Sequence, residues 1–225
     1  NCADSSQMTP LHWAVRCDKT KAVSALVSLG SDVNATKVTP LYWAAQKGHV
    51  DAINILASCG ADVNARDGMN TPILFAAARY GQVSAVKALV SFGADMNARD
   101  DNRMTVLHTF LIQHDDTNGI NALVSLGADL NARDATKMTP LHWAVRWHRC
   151  NVVKALAALG ADIGACDEDR ATPLHFAAQD QCLKEIGTLI EHGADVNARD
   201  EEQQTPLQWA VATTSWDAVN ALAVH

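Results

Sequence analysis

The stretch Thr9-Pro10-Leu11-His12-Trp13-Ala14-Val15 returns unchanged at Thr139–Val145, and variants of it open at Thr39, Thr71, Thr105, Thr172 and Thr205. The steps between these threonines are 30, 32, 34, 34, 33 and 33 residues. A period near 33 marks stacked repeats, in which one supersecondary unit cannot bury its apolar face alone and neighbours must cover it. The 225 residues therefore read as a one-dimensional array rather than as one large globule or two small ones.

One repeat, Thr139 to Asp167, shows the physics. Thr139 can cap free amides, and Pro140 suits a first helical turn, where its missing N–H costs nothing. Leu141, Ala144 and Val145 follow at i, i+3 and i+4, which is one apolar stripe. A polar break at His148-Arg149 leads to a second helix over Val152 to Leu159, which Gly160 ends as a left-handed cap. Ala161-Asp162-Ile163 then begins an extended stretch and turn leading to Thr172-Pro173. The expected fold class is all-α, a repeat solenoid of helix–turn–helix pairs joined by extended β-hairpin loops.

At these residues the chain resembles an ankyrin-repeat protein. The resemblance is carried by the Thr-Pro-Leu-His phrase, by Gly48-His49, and by Gly-Ala-Asp-Val-Asn-Ala at Gly60–Ala65 and Gly193–Ala198, with variants at Gly30, Gly93, Gly127 and Gly160. It spans essentially the whole chain and implies a single array over residues 1–225, with repeats starting near Thr9, Thr39, Thr71, Thr105, Thr139, Thr172 and Thr205. It also implies hairpin tips and first helices lining a concave side, and second helices forming a convex back. The recurring histidines His12, His108, His142 and His175 are expected to hydrogen-bond backbone between neighbouring repeats. Asn34, Asn64, Asn97, Asn131 and Asn197 match asparagines that in this family stabilise the turn and can be hydroxylated.

Departures from the pattern carry their own expectations. Asn34 to Thr39 is three residues shorter than Asn131 to Thr139, so that hairpin should be stunted. Thr71-Pro72 sits one residue early against Ala77, Ala78 and Gly81. The fourth repeat has Val106 for proline, Thr109-Phe110 for Trp-Ala and one extra residue near His114-Asp115-Asp116, which predicts a longer loop. The family places glycine two residues before Thr-Pro; here Lys37, Arg103, Lys137, Arg170 and Gln203 stand there, so the tip turn should depart from the family geometry. Asn1-Cys2-Ala3-Asp4 aligns with Asn131-Ala132-Arg133-Asp134, and His225 falls one residue before a closing glycine. Neither end shows polar capping changes, which reads as a segment of a longer array.

The bulk numbers bound the chemistry. A net charge of −7 disfavours a nucleic-acid partner, which needs a basic footprint. No apolar run reaches transmembrane length, so direct membrane insertion is not expected. Six cysteines at irregular positions, with no Cys-x-x-Cys pair, read as reduced intracellular thiols rather than disulfides or zinc ligands. No P-loop, G-x-S-x-G or H-E-x-x-H motif is present, and no cofactor is implied. The chain thus reads as a non-enzymatic, intracellular and cytoplasmic protein–protein interaction scaffold, monomeric as an isolated segment. The alternative is a regulatory or mechanical cytosolic segment of a larger channel, kinase or acyltransferase.

Partner-binding candidates follow from two repeating slots. The aromatic slot after the histidine holds Trp13, Trp43, Trp143, Phe176 and Trp209, which either pack between first helices or line a groove as anchors. Trp147, one turn after Trp143 and beside Arg146, is a large aromatic where a polar residue is usual, and leads the candidates. Lys37, Arg103, Lys137 and Arg170 form a basic row at the tips that could meet an acidic peptide, partly cancelled by Asp67, Asp100, Asp134, Asp167 and Asp200.

Overall fold

A computed structural model describes residues 3–224; the expectations placed on Asn1, Cys2 and His225 lie outside the described residues. Two compact units divide the chain, Asn1–Asp101 with Ser125–Ala128, and Asn102–Val124 with Asp129–His225. The first contains α1 (Pro10–Arg16), α2 (Thr20–Ser28), α3 (Pro40–Lys47), α4 (Val50–Ser58), α5 (Ile73–Arg79) and α6 (Val83–Ser91). The second contains α7 (Val106–Gln113), most of α8 (Thr117–Ser125), α9 (Pro140–Arg146), α10 (Cys150–Ala158), α11 (Pro173–Gln179), α12 (Leu183–Glu191), α13 (Pro206–Ala212) and α14 (Trp216–Ala223). The chain is an all-α repeat solenoid. Within each unit first helices pack on first helices (α1 on α3 on α5; α9 on α11 on α13) and second helices on second helices. The extended loops close by backbone bonds such as Asp134 N to Met138 O at 3.0 Å, but one isolated bridge, Arg66 to Pro72, is the only β pairing among the described residues.

The core repeats with the sequence. Leu11, Leu41, Leu74, Leu107, Leu141 and Leu174 are buried at the second helical position, and Ile53/Leu56, Val86/Leu89, Ile120/Leu123, Val153/Leu156 and Ile186/Leu189 at i, i+3 along the second helices. Each such side chain, taken out of water, contributes roughly 1.5–3 kcal/mol. None of the helices is long enough to hold its own shape in water, so this shared burial makes them helical.

Each departure has a structural answer. Pro72 takes the N-cap place in α5 with φ −59° and ψ 143°, which puts Phe75 in the histidine slot, fully buried. In the fourth repeat the expected longer loop is absent. His114–Asp116 is as short as Trp147–Arg149, because α7 runs one residue longer than α9 and His114 turns extended. Phe110 fills a core position that is alanine in the other repeats, and Gly119 on α8 gives way to it: a Cβ there would overlap the Phe110 ring. A large-for-small exchange on one helix is matched by a small residue on the next, which keeps packing density native.

The hairpin tips correct another expectation. Without glycine they still hold a left-handed residue, at φ 58° for Arg103, 62° for Lys137, 61° for Arg170 and 64° for Gln203. In the shortened hairpin the left-handed residue is Thr36 rather than Lys37. The turn is preserved at the expense of local strain, since an L side chain in this region crowds its carbonyl. Lys137→Gly is therefore expected to raise stability by about 0.5–1 kcal/mol, while Lys137→Ala, equally strained, leaves it unchanged. Chemical denaturation of the two variants beside the parent checks this.

Candidate functional site

The repeating phrase builds a fixed local frame. In α1, α7, α9 and α11 the histidine Nδ1 accepts the backbone N–H of the capping threonine, at 3.0, 3.2, 3.1 and 3.1 Å. That contact assigns the proton to Nε2, which donates onward to a carbonyl of the next repeat: Val38, Met138, Ala171 and Gln204, at 2.8, 3.4, 3.3 and 3.1 Å. The ring is thus a neutral staple between repeats, as the resemblance implied. Burial pushes the His142 imidazole down to about 4 and lowers His12 and His175 in the same direction.

A second staple runs through the turns. Asn34 Nδ2 donates to Gly60 O at 3.1 Å while its Oδ1 accepts Asp62 N–H at 2.9 Å, and Asn64 repeats this with Gly93 and Asp95. Asn97 donates to Gly127 O at 3.0 Å, and Asn131 accepts Asp162 N–H at 2.8 Å. Asn197 is exposed, its own N–H held by Asp195. Gly164, standing where an asparagine would be, offers no side chain for this bond.

The aromatic slot is both brace and surface. The indole N–H of Trp13, Trp143 and Trp209 donates to the hairpin aspartate nine residues earlier, Asp4, Asp134 and Asp200, at 3.0, 2.8 and 2.8 Å. The same aspartates accept the turn's own backbone N–H groups, as Asp134 does from Thr136 and Met138. Those carboxylates belong to the turns, whose backbone they hold. The aromatic faces also contact along the unit, with Phe176 5.8 Å from Trp209 and edge-on to His142.

Two grooves result. In the first unit a groove of about 560 Å³ is lined by Met8, Trp13, Arg16, Lys37, Val38 and Trp43. The Arg16 guanidinium carbon lies 5.2 Å from the ring centroids of both Trp13 and Trp43. In the second unit a groove of about 540 Å³ is lined by Trp143, Arg146, Trp147, Phe176 and Trp209, with Thr136, Met138, Asp167, Glu168 and Asp169. Trp13 and Trp147 are 45% and 47% exposed, a large apolar area to leave in water.

The candidates of the basic row divide. Lys37 reaches the first groove, whereas Arg103, Lys137 and Arg170 are exposed at their tips and line neither groove. The charges around the second groove are mostly negative instead: Glu168 and Asp169, then Glu201 and Glu202 on the following tip. Sequence reasoning missed these, although Asp167-Glu168-Asp169 and Asp200-Glu201-Glu202 differ visibly from Asp134-Ala135-Thr136. It also missed Arg16, which follows the quoted phrase just as Arg146 follows its copy.

A thiol cluster lies apart from the grooves. Cys150 Sγ donates to Glu185 Oε1 at 2.9 Å, and Cys182 Sγ is 2.8 Å from His148 Nδ1. The bond to Glu185 pushes the Cys150 thiol up, and burial pushes Cys182 up to about 12. Both thiols stay protonated at neutral pH, so neither is an activated nucleophile. Among the described residues no group of three or more His, Cys, Asp or Glu is placed to hold a metal ion, and no helix is long and apolar enough to cross a membrane.

Comparison with known proteins matches these observations. The family model for ankyrin repeats (3 copies) matches residues 1–67, 74–167 and 157–225. The crystal structure of the human ASB11 ankyrin repeat domain is similar, with a TM-score of 0.80 at 26% identity over 96% of this chain and 97% of that one. The ankyrin repeat domain of Bcl-3, a member of the IkappaB protein family, has a TM-score of 0.87 at 27% identity over 96% and 98%. Among curated protein sequences none matches. Ankyrin repeats are a general protein–protein interaction module, so fold and phrase lead to one assignment: the chain belongs to the ankyrin-repeat family.

Proposed function

We propose that this chain is a non-enzymatic binding scaffold that holds a partner protein or peptide on the face made by its first helices and hairpin tips. The groove on Trp143, Arg146 and Trp147 is the principal contact. The observation that carries the reading is Trp147: at the C-cap of α9 it keeps 47% of its surface in water, beside a guanidinium, on the face where Trp143 is already half-buried. Tryptophan is favoured as an interface anchor, and Trp147 lines a groove, whereas Trp216 on α14, 69% exposed, does not line it. Proximity labelling and pull-down from cells, with the parent beside a Trp147→Ala/Arg146→Ala double variant of equal melting temperature, test it. A partner retained only by the parent supports the groove. Equal capture by both moves the site to the tips or the second helices, and no capture at all removes the reading.

A further inference from the structure

The phrase ending in arginine occurs twice, so the chain carries one aromatic slot in two copies. In the first unit the chain sets a cation of its own against the slot, the guanidinium of Arg16 lying 5.2 Å from the ring centroids of both Trp13 and Trp43. In the second unit Arg146 stacks on no ring among the described residues, and Trp147 and Trp209 line a groove. The two copies also differ in charge. Glu168, Asp169 and Glu201 are exposed on the adjacent tips and form no salt bridge among the described residues, whereas the first groove has Ser6, Gln7 and Lys37 around it. The tips are held in register by Glu168 N–H to Thr136 O at 3.0 Å and Glu201 N–H to Asp169 O at 2.8 Å, so the carboxylates stand on a fixed edge. Glu168 and Asp169 also crowd the buried Asp167 carboxyl, adding to the burial that raises it.

We infer that the second groove takes an extended segment of a basic partner protein that bears several arginines, their guanidinium groups stacking on Trp147 and Trp209 and pairing with Glu168, Asp169 and Glu201. The chain's own Arg16 shows that a guanidinium settles against the indoles of this face, 5.2 Å from the ring centroids of Trp13 and Trp43, the counterparts of Trp143 and Phe176 in the second groove. A guanidinium suits the site because its plane stacks while its edge donates to carboxylates. Arg146 is the opposing charge on the groove wall, and the three tip carboxylates outnumber it. This inference rests on the binding reading above.

The test titrates the full chain with a short synthetic peptide of glycine, serine and arginine, followed by tryptophan fluorescence and calorimetry. Its citrulline analogue, of the same shape without the charge, and a glutamate analogue are run beside it. The arginine peptide is expected to bind at least about tenfold more tightly than either. Glu168→Gln/Asp169→Asn/Glu201→Gln should lose that preference with an unchanged melting temperature, while Asp51→Asn/Glu191→Gln should keep it. Equal binding of the arginine and citrulline peptides, an unaffected triple variant, or no binding overturns the inference. If no peptide binds but the Trp147/Arg146 variant still loses its cellular partner, the cationic ligand alone is wrong; if that variant keeps its partner too, both readings fall together.

Discussion

Lowering the pH from 7 to 4 is expected to remove about 3 kcal/mol of stability through His142 alone. Its ring is fully buried, and that desolvation of the charged form outweighs the bond from Nε2–H to Ala171 O, which favours it. The folded imidazole therefore titrates at about 4, well below its ordinary 6.5. The sign follows from proton counting. Between pH 6.5 and 4 the unfolded chain binds a proton that the folded chain refuses, so stability is complete above 6.5, falls as pH drops towards 4, and levels off below it. His12 and His175 add to the loss in the same direction. The seventh repeat supplies the control. There Gln208 replaces histidine, and its Oε1 accepts the Thr205 N–H at 2.8 Å. His142→Gln should keep the cap, cost about 1 kcal/mol at pH 7 for the weakened contact to Ala171, and flatten the dependence on pH. Denaturant titrations of parent and variant at pH 7, 5.5 and 4 check this; parallel curves would mean that the buried imidazole accepts a proton after all.

Asp134→Ala is expected to cost about 3–4 kcal/mol, the largest effect of any single hairpin substitution. The carboxylate is 5% exposed and accepts four bonds: Thr136 N–H at 2.9 Å, Thr136 Oγ at 2.8 Å, Met138 N–H at 3.0 Å and Trp143 Nε1–H at 2.8 Å. Removing it strands those donors beside a turn that already holds Lys137 in the left-handed region. Asp167→Ala is the internal comparison. Its carboxylate accepts the Asp169 and Ala171 N–H groups, and Phe176 stands where an indole would donate. Burial holds the Asp167 carboxyl above its ordinary range, so its loss should cost less, by roughly 1 kcal/mol or more. Equilibrium unfolding followed by tryptophan emission ranks the two. Equal losses would show that the indole bond contributes nothing.

Much of this was legible in the chain because the repeat writes the same physics seven times. Thr-Pro at a helix start, leucine at its second position and glycine at the end of a second helix each act within a few residues, so their meaning survives without tertiary context. The histidine's inter-repeat role came with the resemblance, and the structure adds which nitrogen carries the proton. The fourth repeat was read less well, since its extra residue looked like loop. It lengthens α7 instead, because Phe110 and Gly119 are complementary across a contact that no local pattern announces.

The candidate site divides in the same way. Its aromatic members were visible as a periodic slot, and Trp143, Arg146 and Trp147 do line one groove. The basic row looked coherent because charge recurs at one position, but for Arg103, Lys137 and Arg170 that position is the left-handed corner of the tip. Lys137 and Arg170 do not line the groove, while Glu168 and Asp169 do.

By itself the sequence determined the period, the helix pairs and the buried leucine and aliphatic ladder, all of which follow from spacing along one chain. The tertiary structure alone decided three other features: that Trp13, Trp143 and Trp209 are each tied to a hairpin carboxylate, that Arg16 stacks on its slot aromatics while Arg146 does not, and which tip charges border a groove. Those depend on distances between side chains nine to about thirty residues apart, which packing sets and sequence periodicity leaves open.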